Sequence, residues 1–254
     1  DKHLTDIHAL MGLVGWAGIL IIAVSFQVLP MFHVAPNMPK YIRQYLGGSI
    51  FILLITYTFY AELALGLLFI SHGVFAITLF HVINQRKRKV PDTSIKYWKL
   101  SAGTLLVLNL LYLLPDSFYS STQTPFFMAL PDKTMLLTAI FIYFYLLSVI
   151  QGMLLKILPF LSYTHLQQRC LIDFSAMQFI PHMHEFLNKK HGVVLYYMHI
   201  FSGLSLLTVI FEPSLYFIFA VFLLVEFVWL FVLMAKCMHL YFTVNNKINL
   251  SSKP

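Results

Sequence analysis

The chain has 254 residues, 59% of them hydrophobic and only 11% charged, with a mean hydropathy of +0.78. Soluble domains carry about 25% charged residues, so a water-soluble fold is excluded. The net charge of +7 reads as the Lys/Arg excess of cytoplasmic loops, not as a nucleic-acid footprint.

The apolar runs approach about 20 residues and do not alternate, which predicts an all-α, polytopic membrane bundle forming one domain. About seven transmembrane helices are predicted, at roughly 7–29, 42–60, 63–85, 98–115, 134–157, 192–211 and 214–241. Residues 47–85 are almost continuously apolar. One helix of that length would rise about 58 Å, against a hydrocarbon core of roughly 30 Å, so a tight turn is predicted near Glu62. In the first helix, Gly12, Gly15 and Gly18 allow close helix packing or close approach of a flat cofactor. Two connections are long: an outer loop at 116–133, whose FFMAL segment suits the interface, and an inner loop at 158–191. The chain begins at Asp1 with no signal-peptide pattern, and is expected to be a fragment or processed form of a longer protein, part of a bundle of about twelve helices.

Arg86, Lys87, Arg88 and Lys89, with Lys96 and Lys99, form the strongest basic cluster and belong on the cytoplasmic side. Lys40, Arg43, Lys156, Arg169, Lys189, Lys190, Lys247 and Lys253 fall on the same side. Glu62, Asp116, Asp132 and Glu212 fall on the other, placing the N-terminus outside and the C-terminus inside a bacterial inner membrane. Cys170 and Cys237 have no CxxC spacing and signal neither a disulfide framework nor a thiolate site.

Ionisable residues at membrane depth are costly and mark candidate sites. His72 lies roughly 13 Å below the outer surface and His199 roughly 11 Å above the inner one. Two such imidazoles on facing helices suit axial ligation of a haem iron; alternatively each bonds a carbonyl or a serine (Ser71, Ser202) within the bundle. His8 sits at the outer edge of the first helix. His182 and His184, flanking Met183 on the inner loop, are a weaker copper or zinc pair. Glu226 is the one carboxylate at mid-depth, either a candidate proton-carrying group, a partner for a His, or a protonated, hydrogen-bonded residue, whereas Lys236 can snorkel to the inner surface. Asn109 and Gln151 read as helix-to-helix hydrogen-bonding residues.

The stretch HALMGLVGWAGILIIAVSFQVLP (8–30) resembles one helix of the haem–copper oxidase subunit I superfamily, closest to the cbb3-type branch and the related haem- and copper-containing NnrS family. His8 occupies the first position of the family's His-x-His, Gly15-Trp16 its Gly-aromatic step, and Val28-Leu29-Pro30 its exit. The second His position is Leu10, so only the role of the first, a haem ligand, carries over. No His-His pair follows in the next helix, and no copper motif with a crosslinkable Tyr is present. Of the outer cations expected to meet haem propionates, only Lys2 and Lys133 are there. QVLPMFHVAP (27–36) and KILPFLSYTHLQ (156–167) look like segments of the same oxidase-like kind.

The resemblance implies a haem-b-binding membrane protein serving redox or nitric-oxide/oxygen-related chemistry without a complete oxygen-reducing site, in electron transport with a redox partner or other membrane subunits. Its ligand candidates are His8, His72 and His199, and copper is a further cofactor. The first alternative is a transporter or metal-handling protein working through Glu226 and the intramembrane His. The second is a structural membrane subunit with no cofactor. Whether the chain is an enzyme is left open by the sequence.

Overall fold

The computed structural model describes residues 2–87, 89–119, 132–171 and 174–251. The FFMAL segment, Arg88 and Lys253 lie outside them. Seven long helices stand among the described residues: α1 (Lys2–His33), α2 (Lys40–Tyr57), α3 (Ala61–Asn84), α4 (Thr93–Leu113), α5 (Lys133–Arg169), α6 (Lys189–Phe211) and α7 (Tyr216–Ser251). Five of these stretches, α1, α3, α5, α6 and the one containing α7, are long and apolar enough to cross a membrane. The expected count of seven spans is therefore met only in part. α2 opens with Lys40, Arg43 and Gln44, and α4 carries Lys96 and Lys99 near its start, which shortens their apolar runs.

The chain divides into two compact units, one of Asp1–Pro91 with Tyr97–Val149, the other of Asp92–Lys96 with Ile150–Pro254. In the first unit, α2 packs on α3 and on α1. It buries Ile42, Leu46, Ile50 and Leu54, a four-residue spacing that aligns one helical face. The chain turns at Thr58–Tyr60, so Glu62 sits in the first turn of α3. Two stretches of this unit wind as π-helix, Met11–Gly18 in α1 and Phe141–Leu147 in α5, and they touch each other. π-Helix is rare, occurs mostly as single-turn bulges within α-helices, and is frequent at functional sites. Gly15 sits within the first stretch where a Cβ would meet Leu54 Cδ1 at 3.0 Å, a contact tight enough that the Leu54 side chain would have to shift.

In the second unit, α6 packs along α7. α6 starts at Asn188, whose side chain accepts from the Lys190 amide, a local cap on otherwise orphaned N–H groups. α5 and α7 both run beyond their expected ends at 157 and 241. Pro159 lies inside α5, where a break would be expected. The extension is held by tertiary packing: Leu166 and Cys170 form a buried cluster with Cys237, Val244 and Ile248, and Arg169 donates to the side-chain oxygens of Asn245 and Asn249. Large apolar side chains such as Phe217, Leu224 and Phe231 are left exposed on α7, as lipid-facing positions of a membrane protein are.

Candidate functional site

Two constellations of polar groups stand out among the described residues, one in each unit. In the first, a cavity of about 350 Å³ is walled by α1, α3, α4 and α5, with Tyr57 from the end of α2. Its middle is apolar, with Leu13, Leu68, Leu105 and Phe141 among the lining residues. Asp6, Glu62, Asp116 and Lys133 also line it. Lys133 Nζ bonds Asp116 Oδ1 at 2.7 Å and lies 5.1 Å from the Tyr112 ring centre. Asp116 has a neighbour in Tyr119, whose hydroxyl donates to the Leu111 carbonyl. Burial pushes the Tyr119 phenol above its ordinary value, and the charge of Asp116 pushes it the same way while Lys133 opposes.

His72, only 4% exposed, lines this cavity from α3. Its Nδ1 lies 2.8 Å from the Leu68 carbonyl. A carbonyl only accepts, so Nδ1 carries the proton. An unpaired buried charge is costly, which leaves a neutral ring with its lone pair on Nε2. That nitrogen has no hydrogen-bond partner among the described residues. It faces Gly18, where a Cβ would come within 3.8 Å, and the Phe141 ring stands edge-on to the imidazole at 6.1 Å between centres. One turn away, Gly73 gives Asn109 room, since a Cβ there would sit 3.2 Å from both ends of the amide.

The second constellation joins three helices. Glu226 of α7, His199 of α6 and Gln151 of α5 are all fully buried. Gln151 Nε2 donates to Glu226 Oε1 at 2.5 Å, and His199 Nδ1 meets the same oxygen at 2.8 Å. Where Oε1 is a carboxylate or carbonyl oxygen it accepts both bonds, and the imidazole proton then sits on Nδ1. Along α6 the hydroxyls of Ser202, Ser205 and Thr208 follow His199 at three-residue steps, a spacing that makes neighbours on a helix surface. Ser205 donates to the Ser202 carbonyl and Thr208 to that of Ser205, each at 2.7 Å. Ser202 Oγ is buried without a hydrogen-bond partner among the described residues. The series passes from buried Ser202 and Ser205 to exposed Thr208 and Glu212. In the other direction along α5 from Gln151 stands Lys156, bonded to Asp92 Oδ2 at 2.5 Å.

The sequence-predicted residues are placed as follows. His72 and His199 are buried and fall in different units. His8 is exposed on α1 and is not among the cavity's lining residues. His182 and His184 are exposed, and the His182 amide bonds Glu185. Among the described residues no three His, Cys, Asp or Glu groups converge as a metal site would require. Sequence reasoning offered a His partner for Glu226 without identifying it as His199, and named Gln151 separately from both. It also missed the hydroxyl series, although the spacing in HIFSGLSLLT carries that signal. The cavity lining from Asp6, Tyr112 and Lys133 has no local signature. No protein-family model, curated protein or solved structure matches this chain.

Proposed function

We propose that this chain conducts protons across a bacterial inner membrane, with all seven helices spanning the bilayer, the Arg86–Lys89 side in the cytoplasm and the Glu212 side outside. The observation that carries the reading is the buried Glu226–His199–Gln151 cluster, continued by hydroxyls toward Glu212. Buried intramembrane carboxylates and imidazoles that pair with each other are the usual stations of proton relays. Hydroxyls both donate and accept, so each can pass a proton along, directly or through bridging water. From His199 to Glu212 the chain rises about 20 Å, which from roughly 11 Å above the inner surface reaches the outer face of a core of about 30 Å. The span count is supported by exposed Tyr41, Phe51 and Ile52 on α2, which suit lipid, and the orientation by the placement of Lys and Arg.

Haem b at His72 has one supporting observation. Iron-bound imidazoles hold their other N–H on a carboxylate, carbonyl or water, and His72 does so on Leu68. The cavity's charges suit the other end of the group poorly. Haem propionates are anions, while the lining offers Asp6, Glu62 and Asp116 against Lys133 alone, which is already bonded to Asp116. The residues present do not fit haem in this cavity.

Proton uptake by vesicles containing the purified chain, driven by an imposed potassium diffusion potential, tests the proposal. The chain is expected to accelerate uptake by about tenfold or more over protein-free vesicles, and Glu226→Gln to abolish the acceleration. Ser202→Ala removes a hydroxyl that makes no bond, so stability is expected to stay within about 1 kcal/mol while uptake falls severalfold. Vesicles with and without the chain taking up protons alike overturn the reading.

A further inference from the structure

We propose that the cavity of the first unit binds an aromatic alcohol of the phenol or hydroquinone class, its hydroxyl donated to His72 Nε2 and its outer end neutral or cationic. This site is independent of proton conduction, and its chemistry is set by the imidazole. Because Nδ1 is committed to the Leu68 carbonyl, Nε2 of the neutral ring only accepts, so the ligand's buried end must be a donor. A keto, ether or carboxylate end leaves that nitrogen as unsatisfied as it is now, and an unsatisfied buried acceptor is costly.

The walls select a ring. Phe141 stands edge-on to His72, and Phe69 and Tyr112 stack at 4.2 Å between centres along the same cavity. The volume of about 350 Å³ lies at the lower end of small-molecule sites and suits one ring with a short substituent. The charge of the lining selects against anions, since three carboxylates meet one lysine. Nε2 is covered in the structure, so the hydroxyl reaches it as the Met11–Gly18 stretch gives way. That stretch is π-helix, a winding frequent at functional sites, and Gly18 sets no side chain between it and the nitrogen.

Titration of the detergent-solubilised full chain with three probes tests this: 4-propylphenol, its methyl ether, and the anionic 3-(4-hydroxyphenyl)propionate. The phenol is expected to bind at least tenfold more tightly than either of the others, and His72→Leu to bring it to the level of the ether. The comparison between probes needs only the wild-type chain, so it stands even where the variant fails to fold. Equal binding of phenol and ether, tightest binding of the anion, or no binding of any probe overturns the proposal. So does a haem Soret band on loading that His72→Leu removes.

Discussion

Glu226→Ala is expected to destabilise the protein by about 3–5 kcal/mol, the largest effect of any single polar substitution in the second unit. The loss has a specific origin. Glu226 Oε1 is the shared acceptor for Gln151 Nε2 and His199 Nδ1, and all three side chains are fully buried. Alanine strands two donors where water does not replace the lost partner, and each stranded donor keeps its desolvation cost. Glu226→Gln retains an oxygen that accepts from both and is expected to cost roughly 1–2 kcal/mol. Denaturation in mild detergent, followed by helical signal, measures the difference. If Ala and Gln cost the same, the carboxylate is not the acceptor of this cluster.

Leu166→Ala is expected to cost about 2–5 kcal/mol. Leu166 is fully buried in the cluster that holds the far ends of α5 and α7 together, with Cys170, Cys237 and Val244. Truncation removes contact area and leaves a void beside Cys237, and neighbours on two rigid helices close it only partly. The extension of α5 past Pro159 depends on this cluster, so limited proteolysis near Arg169 should accelerate in the variant. A loss below 1 kcal/mol with unchanged proteolysis would show that the extension stands without the cluster.

The helix positions were legible because apolar runs in a membrane protein are long, continuous and interrupted by charge. The turn at Thr58–Tyr60 follows from length alone, since no single helix over 47–85 fits a bilayer. The far ends of α5 and α7 were not legible. Pro159 and the polar NNKIN of residues 245–249 both read as stops, and the packing that overrides them joins residues about 80 positions apart in sequence. Of the two constellations, the depths of Glu226 and His199 could be estimated, but which helix faces which could not. His8 was drawn forward by its place in an oxidase-like stretch. It stands exposed, while Gly18 of the same stretch is the residue that meets a buried imidazole. The cavity lining combines five helices, each adding one to three polar residues that look ordinary in their own segment.

Proton access to Glu226 is the centre of the account, and infrared spectroscopy of its carboxyl group in membranes tests it most directly. The band is identified by its loss in Glu226→Gln. In the folded wild-type chain the band is predicted to follow a jump in external pH and to shift with deuterium, with Ser202→Ala slowing both by about tenfold while leaving the band itself in place. A Glu226 band that ignores external pH and exchanges only when the protein unfolds would contradict the account.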